Sequence, residues 1–170
     1  MKREKQSHVS QKGAYLNRLL QTISGRVLAQ LHTAGFHDIR PAHLRVLRNL
    51  WPHGQRISTL ADRVGITKAS VVYLVDQLQQ LGYVERAPDP SDGRATLVWF
   101  SERGWLVHQV ARAAVQQVQE EWAQVVGPAE MEAFLATLAR LADQSTKAET
   151  IDRSTGQHTA RWRGRRSISQ

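Results

Sequence analysis

The chain has 170 residues, of which 41% are apolar, and it contains no cysteine. This length and composition suit one folded domain with extensions and exclude disorder throughout. The lack of cysteine excludes a disulfide framework, thiol catalysis and a cysteine-bound zinc ion. No apolar run is long enough to span a membrane and no signal-peptide pattern is present, so we expect a cytoplasmic protein without a membrane partner.

The net charge of +8 is unevenly distributed along the chain. Residues 40–112 carry ten bases and six acids, whereas residues 113–146 carry one base and five acids. Most of the remaining positive charge lies in the terminal segments 1–14 and 147–170. A basic middle segment and an acidic end would turn one part of the molecule towards a polyanion such as DNA.

Four helices are predicted in the first half of the chain. Apolar residues at helical spacing indicate a first helix over about residues 15–35, preceded by a flexible basic arm over residues 1–14. Pro41 suits the first turn of a second helix, and Ser58 is placed to cap a third. Thr67 is a good N-cap for the fourth helix.

The segment between residues 56 and 100 has the pattern of a helix-turn-helix followed by a hairpin. Ala61, Gly65 and Val71 stand where two crossed helices need a small residue, a turn residue and an apolar anchor. The run YVERA, the tip DPSDGR and the alternating run ATLVWF follow. This succession is typical of the β wing of a winged-helix domain.

Two more helices are predicted over about residues 102–144, the first capped by Ser101 and separated from the second by Gly127-Pro128. Their apolar stripes and that of the first helix exceed what a small winged domain can cover. This excess predicts a homodimer, although a self-contained bundle would show the same pattern. Residues 146–170 are polar and basic and are expected to form a flexible tail, either attracting DNA or contributing only solubility.

The sequence therefore predicts a mainly α fold with a small β part (α+β), a winged helix-turn-helix within a domain over residues 15–145. We call residues 40–103 the reading head. The helices at about 15–35 and 102–144 would form the dimerisation region.

Candidate DNA contacts come from the fourth helix and the wing. Lys68 can donate to guanine or phosphate, and Val72 suits a thymine methyl group, although Val72 and Tyr73 also fit contacts with neighbouring protein. Arg94 is expected to enter a narrow minor groove, its side chain held by Asp92. The candidates are Ser58, Thr67, Lys68, Ser70, Val72, Tyr73, Gln77, Asp92, Gly93 and Arg94.

Other classes of protein find little support. The chain has no phosphate-binding loop, no nucleophile elbow and no zinc-protease motif, so we expect no enzyme. Its seven histidines include no pair at spacing three or four, so no metal or other cofactor is expected. The remaining alternative is a winged-helix protein-interaction module without specific DNA readout.

Three segments resemble the MarR family of winged-helix regulators: AHLRVLRNL from residue 42, TKASVVYLVDQLQQLGYVER from residue 67, and DPSDGRATLVWFSERG from residue 89. The resemblance extends over about residues 15–143. It implies a homodimer with interlocked N- and C-terminal helices, a repressor that binds a pseudo-palindromic operator on double-stranded DNA. Members frequently have basic residues where this chain has Tyr73 and Gln77.

The resemblance also implies release from DNA by a small-molecule effector, bound where the first, second and fifth helices meet the reading head. The candidate lining residues could equally form an ordinary hydrophobic core whose side chains have polar ends, and this alternative stays open. They are Phe36, His37, Arg40, His43, Leu47, Trp51, Trp105 and His108.

Overall fold

A computed structural model describes the backbone of residues 2–154 and the side chains of residues 11–144. The elements in chain order are α1 (Lys2–Thr33), α2 (Pro41–Leu47), β1 (Gln55–Arg56), α3 (Ile57–Val64), α4 (Lys68–Gln80), β2 (Val84–Asp89), β3 (Asp92–Phe100), α5 (Glu102–Val126) and α6 (Pro128–Ser154). The described residues divide into two compact units after residue 121, within α5. Within the described part of the chain, no helix is long and apolar enough to cross a membrane.

The core of the first unit forms around the inner face of α4. Val71, Val75 and Leu78 recur at spacings of four and three, and all three are fully buried. Leu60 of α3 and Val46 of α2 are buried in the same cluster. Burying one such aliphatic side chain contributes about 1.5–3 kcal/mol, so this apolar stripe fixes which face of α4 remains outside.

The turn between α3 and α4 is the one that the sequence predicts. Gly65 adopts the left-handed conformation, with φ of 70°, and its N–H donates to the carbonyl of Ala61 at 3.0 Å. This geometry closes α3 and lets the chain reverse before α4. The helix-turn-helix pattern is therefore confirmed.

The sheet has the order β1-β3-β2, with both pairs antiparallel. The strand β1 pairs through Gln55 with Val98 and through Arg56 with Leu97. The sequence analysis missed this strand, because two residues are too few to show an alternating pattern. Its pairing brings the start of α3 against the central strand of the wing.

The wing differs from the predicted hairpin at its tip. Asp89 pairs with Asp92, so the loop contains only two residues, and the predicted tip DPSDGR was too long. The next pair is Pro88 with Thr96, which leaves residues 93–95 without a partner on β2. This register shift is a bulge, a feature that bends a strand and re-aims its side chains.

Ser101 confirms its predicted role as the cap of α5. Its hydroxyl oxygen accepts from Gly104 N–H at 3.0 Å and its O–H donates to the Gly82 carbonyl at 2.6 Å. Gly104 is buried against Tyr83, and a Cβ at this position would overlap the Tyr83 carbonyl oxygen. The end of the wing and the start of α5 are therefore fixed together.

The two terminal helices extend beyond their predicted ends. α1 begins at Lys2, so helical backbone replaces the flexible arm expected over residues 1–14, and α6 continues to Ser154, into the predicted tail. The α1 extension is rich in Lys and Gln, the α6 extension contains Lys, Ala, Glu and Arg, and neither contains proline; these residue types have high helix propensity. The rest of the predicted tail, residues 155–170, lies outside the described residues.

Candidate nucleic-acid interface

A concave surface of about 230 Å³ lies where the starts of α3 and α4 face the strand β3. Five of the ten predicted DNA contacts line it. Positive side chains outnumber negative ones there, since Arg56, Lys68 and Arg94 face a single carboxylate, that of Asp92. The full lining is Arg56, Ile57, Ser58, Lys68, Val72, Asp92, Arg94, Ala95 and Thr96.

The first turn of α4 has a side-chain N-cap and is exposed to solvent. Thr67 accepts from the Ser70 N–H at 3.1 Å, which confirms the predicted N-cap, and the two hydroxyls lie 2.8 Å apart. Lys68 follows the cap and is exposed. Because the N-terminal end of a helix favours anions, exposed polar groups in this first turn suit a phosphate or a base edge.

The outer face of α4 carries the remaining candidates. Tyr73 lies near the middle of this face with 63% of its surface exposed, and Val72 is half-buried beside the concave surface. Gln77 donates to the Tyr73 hydroxyl at 3.0 Å and also contacts His43 of α2 at 3.0 Å. Gln77 therefore lies on the side of α4 that faces α2, Tyr73 lies next to it on the outer face, and Lys68 and Val72 border the wing.

Ser58 does not cap α3, contrary to prediction. The cap position belongs to Arg56, and α3 begins at Ile57, because the β1 backbone stays extended through Arg56. Ser58 lies in the first turn and is exposed on the concave surface. Its hydroxyl is therefore placed to meet a partner outside the protein.

Arg56 fastens the wing to the start of α3, a role that the sequence analysis missed. Its Nε donates to Asp89 Oδ2 at 2.6 Å and one terminal nitrogen donates to the Ser91 hydroxyl at 3.2 Å. The other terminal nitrogen lies 3.8 Å from Asp92 Oδ2. The missing signal is the β1 to β3 pairing, since Arg56 and Asp89 are far apart in the sequence.

The carboxylate of Asp89 is the anchor of this arrangement. Hydrogen bonds from the Ser91 hydroxyl and the Ser91 N–H, and then Arg56, lower the pKa of Asp89. Both Ser91 bonds are short, at 2.7 and 2.8 Å. The wing tip is thus closed by an ionised group at neutral pH.

Asp92 does not hold the side chain of Arg94, which corrects the prediction. Its Oδ1 accepts from the Arg94 backbone N–H at 3.1 Å, and its Oδ2 faces Arg56. Among the residues with described side chains, none forms a hydrogen bond or ion pair with the Arg94 guanidinium. Gly93 and Arg94 are both exposed and lie in the bulge, so all five donors of Arg94 can face a partner.

The candidate effector residues lie in several places. Phe36 packs edge-on against Tyr83, with ring centroids 6.2 Å apart, and the rings of His37 and His32 are 6.0 Å apart. Trp51 lies 5.1 Å from the Arg63 guanidinium.

The remaining effector candidates form two groups, one in the protein interior and one partly exposed. His43 and Leu47 are buried, and the Arg40 N–H donates to the His43 ring at 3.3 Å. Trp105 and His108 pack together with centroids 5.3 Å apart, and both contact Phe100. Burial, and then Arg112, lowers the pKa of His108. An effector site formed by the whole set stays a prediction.

The fold and this interface define a winged helix-turn-helix protein. A model of the MarR family matches residues 37–95, which include α2, α3, α4, β2 and the start of β3. Over these residues the chain is similar to the MarR family.

The relatives agree with this assignment. The regulator MhqR of Bacillus subtilis is 28% identical over 90 residues, which cover 52% of this chain and 60% of MhqR. The aligned part of the chain thus spans less than two thirds of that relative. MhqR is described as a transcriptional regulator rather than an enzyme, in line with the expected class.

Solved structures share the fold. A MarR-family regulator from Rhodococcus sp. RHA1 is 24% identical, with a TM-score of 0.63, over 79% of this chain and 94% of its own. The transcriptional repressor CouR, solved bound to a 23-mer DNA duplex, is also 24% identical, with a TM-score of 0.60, over 76% of this chain and 91% of its own.

Proposed function

We propose that this chain is a sequence-specific transcriptional regulator that binds double-stranded DNA. The observation that carries the proposal is the concave surface where Ser58, Lys68 and Arg94 converge from three different elements. In this arrangement α4 enters the major groove and the bulge of β3 reaches the adjacent minor groove. The similarity of the fold to CouR, which was solved with DNA, supports the proposal of DNA binding.

The contacts divide into two kinds. Lys68 and Ser58 serve to position the protein on phosphates, with Lys68 also able to reach a guanine. Val72, half-buried at the edge of the groove face, offers a methyl-lined contact to thymine. Arg94 fits the minor groove, where negative potential attracts a guanidinium without other partners.

A homodimer is the second part of the proposal. Three large apolar side chains of α1, Tyr15, Leu16 and Leu20, are each more than half exposed. On α6, Phe134 and Leu138 are also exposed, at 37% and 38%. Exposed apolar stripes of this kind are typical of an interface, and two reading heads related by a two-fold axis match a pseudo-palindromic operator.

Repression and release by a small molecule complete the proposal. Both follow from the family resemblance, and CouR is described as a repressor. An effector that binds the free dimer more tightly than the DNA-bound dimer would shift the equilibrium towards release. Within the predicted lining, Trp105 is 38% exposed and packs against His108, so this pair offers accessible ring surface to an effector.

Salt titration separates the proposal from a protein-interaction module. A DNA-binding regulator should lose affinity linearly on a logarithmic salt scale, with a slope of about 0.9 per phosphate neutralised. The slope should reflect the cationic side chains that line the interface, Arg56, Lys68 and Arg94. Binding to a selected duplex that does not depend on salt, or no binding to duplex DNA, would contradict the proposal.

A further inference from the structure

A chain of hydrogen bonds runs from the start of α2 to the outer face of α4. The Arg40 backbone N–H donates to His43 Nδ1 at 3.3 Å. His43 Nε2 lies 3.0 Å from Gln77 Oε1, and Gln77 Nε2 lies 3.0 Å from the Tyr73 hydroxyl. This series of hydrogen bonds thus begins at a buried histidine and ends at an exposed tyrosine.

The buried end of the series determines which atom donates and which accepts in each of its hydrogen bonds. A backbone N–H can only donate, so His43 Nδ1 must accept, and the neutral ring then carries its proton on Nε2. Nε2 therefore donates to Gln77, which must present its oxygen to His43 and its amide nitrogen to Tyr73. A free glutamine side chain could turn over, whereas this one is held in one orientation.

The orientation of Gln77 determines what Tyr73 can offer. A tyrosine hydroxyl can donate one hydrogen bond and accept others. Since Gln77 already donates to the Tyr73 oxygen, the hydroxyl hydrogen remains for an external acceptor. Tyr73 is 63% exposed and lies one turn from Gln77 on the face of α4 opposite the core residues Val71 and Val75.

We propose that Tyr73 is a specificity-determining residue that donates a hydrogen bond to a base in the major groove, and that Gln77, held by His43, is its positioning residue. The inference rests on the proposed DNA binding. The acceptors available are guanine N7 and O6, adenine N7 and thymine O4, whereas cytosine presents only a donor there. On the DNA strand that Tyr73 contacts, the base that it reads should therefore not be cytosine.

Binding-site selection from random duplexes tests this with two single variants of the full-length protein. Tyr73→Phe keeps the ring but removes the donor, so the preference at one position of each half-site should fall about three- to tenfold. Gln77→Glu replaces the amide donor with a carboxylate that accepts from both His43 and Tyr73. The tyrosine hydroxyl then turns inwards and presents its lone pairs to DNA, so cytosine or the adenine N6 amine should gain at that position.

The double variant distinguishes this mechanism from a general effect of the new charge. In the Tyr73→Phe background, Gln77→Glu should lower overall affinity but no longer change base preference. Gln80→Glu is the matched control, because it adds the same charge to an exposed position of α4. We expect Gln80→Glu to weaken binding without altering the selected sequence.

A third variant tests His43, the buried end of the hydrogen-bond series. His43→Leu removes the donor that fixes Gln77, so the same position should become less selective. Because His43 is buried, this variant is compared only at temperatures where circular dichroism shows a folded protein. The variants at the exposed Tyr73 and the half-buried Gln77 carry the test independently of the stability of the His43→Leu protein.

Three results would overturn the inference. They are an unchanged selected sequence for Tyr73→Phe, an equal change in preference on Gln77→Glu with and without the tyrosine hydroxyl, and full selectivity in a folded His43→Leu protein. A uniform loss of affinity in Tyr73→Phe would instead assign the hydroxyl to a phosphate and also reject base reading. If the parent protein selects no sequence at all, the failure belongs to the proposed function.

Discussion

Arginine side chains in this protein divide between those that hold the fold and those left for a partner. Arg103 donates to Asp38 at 3.2 Å and to the Tyr83 hydroxyl at 2.9 Å, and Arg56 binds the wing tip. Arg94 forms no such contact with any side chain that the structure describes. The difference predicts opposite consequences for stability and for binding.

Arg94→Ala should weaken binding to a selected duplex by at least about tenfold, or about 1.4 kcal/mol, because it removes a minor-groove contact. The melting temperature should stay nearly unchanged, since no bond within the described protein is lost. Arg56→Ala is the matched comparison and should lower both stability and affinity. Equal affinity of the Arg94→Ala protein and the parent, measured at the same salt concentration, would remove Arg94 from the interface.

The ring of Tyr83 is buried, whereas its hydroxyl is hydrogen-bonded to Asp38 and Arg103. Burial, and then its hydrogen bond to Asp38, raises the pKa of Tyr83 to about 12. The neutral phenol is favoured in the folded state, so its contribution to stability is complete below the unfolded pKa of about 10 and is lost as the pH rises towards 12. Absorbance titration of the folded protein should show one late-ionising phenol.

Tyr83→Phe should abolish that late step and flatten this part of the alkaline stability curve. The remaining two tyrosines provide the internal reference for the absorbance change. A late step that persists in the Tyr83→Phe protein would show that the assignment is wrong.

At the scale of elements, the ionised carboxylate of Asp89 closes the wing tip. The lowered pKa of Asp89 means that its contribution is complete above the ordinary carboxyl pKa of about 4 and is lost as the pH falls through the folded value. Asp89→Asn should therefore destabilise the protein at neutral pH, and the difference from the parent should shrink in the acid range.

Thermal unfolding of both proteins between neutral and acid pH measures this difference. Asp143→Asn, at an exposed position of α6, controls for the loss of one carboxylate elsewhere. A difference between Asp89→Asn and parent that stays constant as the pH falls would mean that ionisation of Asp89 does not stabilise the wing.

The sequence predicted elements with long periodic patterns better than short or paired ones. The stripe of Val71, Val75 and Leu78 and the cap at Thr67 were sufficient to predict α4. The strand β1 could not be found, because its pairing with β3 is a contact between distant residues. For the same reason Arg56 was missed as the support of the wing.

The same difference between local patterns and contacts of distant residues applies to the candidate DNA contacts. Lys68 and Arg94 were predicted as DNA contacts because cations at a helix start and beside a turn are visible in the sequence, and both are exposed on the concave surface. The partner of Asp92 was predicted wrongly, because nearness in sequence suggested Arg94 whereas the folded wing supplies Arg56. The role of Gln77 depends on His43, a residue 34 positions away that the sequence placed among effector contacts.

At the scale of the whole molecule, charge is concentrated where the chain is proposed to meet DNA. Beyond the reading head, four arginines lie among residues 155–170, which have no acid. Positive charge near a duplex raises attraction without reading bases. This segment should therefore act on affinity rather than on selectivity.

Truncation after Ser154 keeps α6 and removes these four charges. We expect specific and non-specific binding to weaken by similar factors and the salt slope to become shallower. Full-length protein with the four arginines replaced by glutamine should behave in the same way. An unchanged salt slope in both would leave the segment without a role in DNA binding.

The central claim is that two copies of this chain read double-stranded DNA through α4 and the wing. Selection of bound sequences from random duplexes by the full-length protein tests it most directly. The account predicts a two-fold symmetric site with half-site centres about one helical turn, roughly 10 base pairs, apart, and a dimeric mass by sedimentation at micromolar concentration. Recovery of no enriched sequence, or of a single half-site bound by a monomer, would contradict it.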